Sequence, residues 1–324
     1  MSKEEISCKK KTVRGRVIVA LIGVCLIIFA ILGFQFVHKT IGIRLAIMTV
    51  TRHYSGCSAF AAFQGSYNTY YTYSILLKKY QDQCRMIHQD KDNFQLWDTP
   101  LGQYWMPPDP GYNQKYWVPL HLSEMDQKIY TKGNQGISPG DIVIDCGAHV
   151  GFFTRAALKA GAGLVLAIEI APENLVCLRR NLSAEIASGK VIICEKGVWD
   201  KDDSMDLYIS YNSGGDSLII HTKDQPKVKV LLTTLDKIVS ESRLQRVDLV
   251  KMDIEGAERN ALKGAAKTLQ QFKPKLSISA YHSKDDLDII PALIRQIKPD
   301  YQIDYGPLFL DKWGFVYPQV MYFR

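Results

Sequence analysis

The chain has 324 residues, 47% of them apolar, and a formal net charge of +7, enough to close one core of about 200 residues with sequence to spare. Lys3, Lys9, Lys10, Lys11, Arg14 and Arg16 stand against only Glu4 and Glu5 at the start, so most of the positive charge belongs to a short tail and no nucleic-acid partner is implied. The seven cysteines form no Cys-x-x-Cys pair and show no ligand spacing with the seven histidines, which argues against a zinc site, and no metal is expected.

After the basic tail, residues 17–37 run for 21 positions without a formal charge, with Gln35 the one strongly polar side chain. As a helix rising about 1.5 Å per residue, that length crosses about 30 Å of hydrocarbon. A cleaved signal peptide also starts basic, but its apolar region is shorter and ends in small residues, which Phe34-Gln-Phe-Val-His38 does not offer. The six basic residues before the run outnumber Lys39, Arg44 and Arg52 after it, so the N-terminus is expected in the cytosol and the bulk of the chain on the far side, in the lumen of the ER or Golgi or otherwise extracytoplasmic. Residues 38–96 read as a helical stem, Tyr-rich from Tyr67 to Tyr80, and too closely bracketed by Arg44 and Arg52 for a second span. Five prolines among aromatics in residues 97–119 suit extended loops and short strands. The expected organisation is therefore a tail at 1–16, an anchor at 17–37, a stem at 38–96 and a globular domain at 97–324.

From Asp141 onward, strand and helix patterns alternate. Strands are expected at 141–145, 164–169, 191–194, 208–210, 228–232, 247–252 and 276–281, and helices at 152–160, 172–181, 257–271 and 289–298. Residues 301–305 and 319–323 read as a terminal strand pair around Lys312-Trp-Gly314. Such alternation implies right-handed crossovers and an α/β fold on a mostly parallel sheet.

In such a sheet a ligand sits beyond the carboxyl ends of the strands. Asp145-Cys-Gly147-Ala-His149-Val-Gly151 follows the first strand, its glycines freeing the backbone to turn and approach a ligand. Glu169 ends the second strand, 24 residues beyond Asp145, where a carboxylate can accept two hydrogen bonds from ribose hydroxyls. With His149 at the middle position and Gly-x-x-x-Gly spacing, there is no well-formed pyrophosphate cradle, so a nucleoside without phosphates fits better than a dinucleotide.

Asp145-Cys-Gly-Ala-His-Val-Gly-Phe-Phe-Thr154, Thr234-Leu-Asp236, Lys251-Met-Asp-Ile-Glu-Gly-Ala-Glu258 and Leu262-Lys-Gly264, in that order, resemble the FkbM family of class I methyltransferases over residues 97–324. The resemblance implies a seven-stranded Rossmann-like sheet with helices on both faces. It also implies S-adenosyl-L-methionine as cofactor and O-methylation of sugars, glycans or other small hydroxyl-bearing metabolites. It assigns Asp145 and Gly147 to the methionine and ribose end, Glu169 to the ribose, and Lys196, Gly197 and Val198 to the neighbourhood of the adenine. The chain departs from the family at His149, where Asn is usual.

Methyl transfer to oxygen needs an aligned hydroxyl and a place for its proton. Period-two alternation puts Lys251 and Asp253 on one face, with Glu255 in the following turn and Glu258 one turn on. Asp253 is the first candidate for catalysis, with Lys251 and Glu255 beside it. His282, beyond the 276–281 strand, is a second candidate for general base. An ion-pair network fixing the strand-to-helix turn accounts for Lys251 and Glu258 nearly as well. Ser213-Gly-Gly-Asp-Ser217 reads as a flexible loop over the site, Asn181-Leu-Ser183 as a glycosylation sequon meaningful only in a lumenal domain, and Cys57 with Cys84 as a pair that could bridge there. A membrane-bound adaptor that keeps the fold without turnover is the alternative reading, and a dinucleotide oxidoreductase a third.

Overall fold

The structure is a computed structural model that describes residues 59–108, 114–210, 214–310 and 316–324. The expected tail, the anchor at 17–37 and Cys57 lie outside these residues, as does the Lys312-Trp-Gly314 turn. Among the described residues no helix is long and apolar enough to cross a membrane. The chain divides into two compact units, residues 1–70 with 310–316, and residues 71–309 with 317–324. Of the first, helix α1 (Ala59–Tyr70) is described, with Thr69 Oγ1 donating to Gly65 O at 2.9 Å.

The second unit begins well before the expected boundary at 97. Helix α2 (Leu77–Gln83) leads into an antiparallel sheet of β1 (Arg85–Gln89), β2 (Gln95–Asp98) and β3 (Tyr104–Met106). Tyr80, Phe94 and Trp97 pack with Val118, Phe152 and Cys177 in one buried cluster, so residues 77–96, read as the end of the stem, are part of this unit's fold. Helix α3 (Gln114–Asp126) is a second departure, because Pro119 lies inside it where loops were expected. Val118 and Leu122, four residues apart on one face, are fully buried, and that burial outweighs the hydrogen bond the proline removes.

The strands of the central sheet are β4 (Ile142–Cys146), β5 (Leu164–Ile168), β6 (Val191–Cys194), β10 (Leu249–Met252), β11 (Lys275–Ser279), β12 (Ile303–Tyr305) and β15 (Val320–Phe323), the short β13 (Leu308–Leu310) and β14 (Val316–Pro318) lying outside it. Their order is β12-β15-β11-β10-β4-β5-β6. β11, β10, β4, β5 and β6 run parallel, while β15 lies antiparallel between β11 and β12. This is the class I methyltransferase-like arrangement expected. Alternation sorts the side chains: Ile144, Leu166, Val250 and Met252 enter one apolar core, Val143, Val165, Ala167 and Leu249 another.

Helices α4 (Phe152–Lys159), α5 (Pro172–Asn181) and α6 (Ser183–Ala187) join the first three parallel strands. A smaller sheet, β7 (Gly197–Val198), β9 (Lys227–Thr233) and β8 (Asp203–Tyr208), follows β6. β8 lies upstream of the strand expected at 208–210, with Asp206 paired to Lys227 and Lys229. Helix α7 (Leu235–Glu241) is capped by Thr234, whose side chain accepts from Lys237 N. The single helix expected over 257–271 is two, α8 (Glu258–Lys263) and α9 (Ala266–Phe272). At the break, a Cβ on Gly264 would stand 1.9 Å from Trp199 O, so the chain passes Trp199 closely there. Helix α10 (Asp286–Ile297) contains the expected Pro291.

Candidate functional site

Register brings the first two functional side chains together. Lys251 on β10 lies opposite Asp145 on β4, and neighbours in register share a face. Lys251 Nζ is 3.1 Å from Asp145 Oδ1 and donates to Gly147 O at 2.7 Å and Cys146 O at 3.3 Å. Thr154, in the first turn of α4, donates to the other Asp145 oxygen at 2.7 Å. Asp145 is wholly buried. Burial works against the Lys251 charge, but Asp145 and Asp253 overcome it and hold the ammonium above its ordinary pKa. The pair therefore fixes the carboxyl ends of β4 and β10 relative to one another.

Gly147 makes that approach possible. Its φ is +79°, and a Cβ there would lie 1.9 Å from Asp253 O. Gly151 has a different reason: at φ +98° it begins α4, and a Cβ would meet Leu178 and Leu182 at 3.0 Å. His149 is also left-handed, with φ +50°, a region in which Asn and His are several-fold enriched over bulkier residues. Its N–H donates to Glu169 Oε2 at 2.7 Å, while Glu169 Oε1 accepts from Ile170 N and Ala171 N at 2.8 Å each. Burial pushes the Glu169 carboxyl above the usual range and these three N–H groups hold it back. The carboxylate thus ties together the loops after β4 and β5.

One cavity opens beyond these strand ends. Gly147, His149, Glu169, Gly197, Val198 and Asp253 line it, with Ile170, Leu207, Leu218 and Ile254 as apolar walls. Asp145, Gly151 and Lys196 are not among its lining: Asp145 lies beneath as the Lys251 partner, Gly151 packs against α5, and Lys196 contributes its carbonyl to Cys194 Sγ. Asp216 and Asn174, which sequence reasoning did not single out, also line the cavity. The loop after β8 docks here through Ser217 Oγ, which donates to Glu255 O at 2.6 Å, and through Asp216 Oδ1, which accepts from Ser210 N at 2.7 Å. Burial pushes the Asp216 carboxyl up to about 8. The loop read as flexible is therefore pinned, over residues 214–220, to the turn that carries Glu255.

A second cavity adjoins the first and shares Gly147, His149, Asp253 and Glu255 with it. Its aromatic lining comes from Trp117 and His121 on α3, Tyr281 after β11, and Tyr317. The His149 ring is half-buried and lines both cavities, 5.2 Å from the His121 ring and 6.2 Å from Phe152. Burial, then His121 and Lys251, pull its pKa well below the ordinary imidazole range, so it is neutral. The sequence offered no sign of α3's contribution, because the proline-based reading placed loops there.

Asp253 stands on both linings. Tyr130 O–H donates to its Oδ2 at 2.7 Å, and burial followed by Asp253 itself raises the phenol well above its usual pKa, so the proton stays on Tyr130. Burial opposes ionisation of Asp253, but Lys251 and His282 pull its carboxyl below the usual range. His282 lies where neighbouring strands predict, its Nε2 3.6 Å from Asp253 Oδ1 and 3.5 Å from Glu255 Oε2, its Nδ1 3.0 Å from Glu258 Oε1. Burial disfavours its charge, yet Glu258 and Glu255 raise its pKa well above the ordinary value. At neutral pH His282 is therefore a cation, and the general-base role expected for it does not fit. Glu258 is buried and accepts from Ile254 N at 2.9 Å. Lys251 and Glu258 are placed as the ion-pair reading requires.

Two further sequence expectations meet the structure nearby. The Asn181 side-chain nitrogen donates to Trp105 O at 3.0 Å and Val150 O at 2.9 Å, and its oxygen accepts from Trp105 N at 2.6 Å. A glycan on that nitrogen would break the joint between β3 and α5. Cys84, Cys146 and Cys177 are buried, Cys194 partly so.

Among known proteins, the profile of the methyltransferase FkbM domain matches residues 145–315. No curated protein matches the chain. Among solved structures, a methyltransferase FkbM from Methylobacillus flagellatus is 24% identical, with a TM-score of 0.43, covering 65% of this chain. The chain spans about half (54%) of that protein's length. A precorrin-6y C5,15-methyltransferase from Geobacter metallireducens aligns at 11% identity and TM-score 0.35, over 63% of this chain and 85% of its own. SMU.1697c from Streptococcus mutans, solved with SAH, aligns at 13% and 0.38, over 62% and 95%.

Proposed function

The chain belongs to the methyltransferase FkbM domain family, and from that premise we propose that it methylates a hydroxyl of a sugar, a glycan or a related small metabolite, with S-adenosyl-L-methionine as donor. When bound, that cofactor supplies an electrophilic methyl group. The residues present suit it: Gly147 leaves the cavity floor without a side chain, the Glu169 carboxylate keeps acceptor capacity for ribose hydroxyls beyond its three N–H bonds, and Ile170, Leu207 and Leu218 offer an apolar bed beside Gly197 and Val198.

The observation that carries the reading is the position of Asp253 on the lining of both cavities, ionised and held in place by the Tyr130 hydrogen bond to Oδ2. A carboxylate so placed accepts a hydrogen bond from an acceptor hydroxyl in the second cavity and receives its proton as the oxygen reacts. Tyr130 sets the rotamer, and Lys251 keeps the carboxylate ionised through β10. The aromatic faces of Trp117, Tyr281 and Tyr317 suit the apolar faces of a sugar ring while the polar groups take its hydroxyls.

The same proposal includes a single-pass topology, with the basic residues before position 17 in the cytosol and the catalytic domain in the ER or Golgi lumen, supported by the charge asymmetry around the 21-residue apolar run. Calorimetry of the full-length chain with S-adenosyl-L-methionine tests the donor, and transfer of a labelled methyl group to a panel of glycans tests the acceptor. Absence of cofactor binding by the folded chain would overturn the reading. Protease protection in sealed vesicles tests the topology, and digestion of the catalytic domain in intact vesicles would refute it.

A further inference from the structure

The cluster around His282 is built for more than an ion pair. Asp145, Asp253, Glu255 and Glu258 set four carboxyl groups beside Lys251 and His282, whose ion pairs with them are those already given. One donor atom from each of Asp253, Glu258 and His282 lies within 4.8 Å of the others. The His282 side chain is 3% exposed, and although its ring nitrogens are 3.0 to 3.6 Å from three carboxylates, neither is aligned for a hydrogen bond to any of them. Asp253 Oδ1 is buried and likewise unaligned. Buried polar atoms at this distance from one another ordinarily either hydrogen-bond or share a ligand.

From these contacts, the geometry points to a divalent cation site formed by His282, Asp253 and Glu258, with Glu255 as a further carboxylate at its open side. The cation takes the place of the imidazolium proton and answers the excess of carboxyl groups. Oxygen donors with one imidazole suit Mn²⁺ or Zn²⁺ better than Ca²⁺. The donors come from two adjacent parallel strand ends and one helix start: Asp253 follows β10, His282 follows β11, and Glu258 opens α8, its carboxylate fixed by Ile254 N–H. That framework holds them without a mobile loop. Entry is from the side of the two cavities, since Asp253 and Glu255 line both. A cation bound there borders the second cavity, where it orients and polarises an acceptor oxygen.

The inference goes beyond methyl transfer and is tested without it, so its failure leaves the assignment of the donor and of Asp253 untouched. The probe is MnCl₂ titrated into the full-length protein, with free Mn²⁺ followed by electron paramagnetic resonance. The expected result is loss of free signal corresponding to one ion per chain. His282→Gln and Glu258→Gln are expected to weaken binding at least about 10-fold, while Asp285→Asn, on the far side of Arg259, leaves it unchanged. Circular dichroism establishes that each variant is folded. No binding by the wild-type protein overturns the inference irrespective of the variants, as does unchanged affinity in folded His282→Gln.

Discussion

Replacing Gly147 with Ala tests the claim that the site depends on close approach of β4 and β10. The added Cβ would stand 1.9 Å from Asp253 O, 3.0 Å from Asp253 C and 3.2 Å from Ile254 Cγ2, on a backbone at φ +79°. The left-handed conformation alone costs about 1–2 kcal/mol for a residue with a side chain. The clash falls on backbone, which no rotamer can relieve, so the strand ends must part by about 1 Å, and overpacking of this kind costs a further ~1–3 kcal/mol. Because Lys251 Nζ donates to Gly147 O at 2.7 Å, the same displacement moves Lys251 and Asp253 relative to each other, and a shift of about 1 Å at reacting groups lowers turnover about 100-fold. Gly189→Ala is the matched control, since Gly189 has φ +73° but nothing within 4 Å of its Cβ. Denaturant melts should show Gly147→Ala less stable than Gly189→Ala by the clash component, with calorimetric affinity for S-adenosyl-L-methionine reduced only in the former. Equal stability and affinity in the two variants would refute the reasoning.

Asp253→Asn should abolish turnover while leaving cofactor affinity within a few-fold, because an amide cannot take a proton; retained turnover in a labelled-methyl assay removes Asp253 from the chemistry. The Asp216 carboxyl, raised to about 8 from its ordinary 3.8, contributes stability to the docked loop that is full below the ordinary value, declines as pH rises and is lost as pH passes through about 8. Cofactor affinity should therefore weaken with rising pH in the wild type and less steeply in Asp216→Asn; parallel pH profiles would count against the loop's role. Asn181, its amide nitrogen spent on Trp105 O and Val150 O, should carry no glycan when the protein is made in a secreting cell, and Asn181→Ala should cost about 1 kcal/mol by leaving half-buried backbone groups without partners. A glycan found at Asn181 by mass spectrometry contradicts this. His149→Asn keeps a residue suited to φ +50°, so cofactor affinity should hold while the Michaelis constant for acceptor changes through loss of the ring beside His121. Val at the same position is strained and should lose both, and identical behaviour of the two variants would disprove the distinction.

β4, β5, β6 and β10 were legible because each is a short apolar run bounded by Gly or by charged residues, and such runs have few other places to go. α5 was legible to the residue through Pro172 at its first turn. What failed did so where tertiary burial decides the outcome. Pro119 reads as a helix breaker, yet Val118 and Leu122 gain more from the core than the helix loses. Gly264 gives no sign of ending a helix until Trp199 O is seen beside it. Residues 77–96 read as a helical stem because their buried members, Tyr80, Cys84 and Phe94, have no local periodicity; their partners lie on α3, α4 and α5.

The candidate site divides along the same line. Gly147, Glu169 and Asp253 could be found from sequence because position after a strand places a residue at the cavity whatever its side chain does, whereas Gly197 and Val198 came only from the family resemblance. Roles were less accessible, since a role depends on neighbours far away in the chain. Asp145 was expected at the ligand and instead anchors Lys251. Asp145, Lys251, Thr154 and Gly147 thus form one joint between β4 and β10, and Glu169 forms another between the loops of β4 and β5. His282 was expected to take a proton, and three carboxylates from a different strand and helix make it a cation. Even His149, the departure from Asn, follows from this division: the backbone at φ +50° restricts the position to residues that tolerate the left-handed region, and both Asn and His do. The loop's geometry is thereby preserved, while the larger ring reaches into the wall that the two cavities share, beside His121.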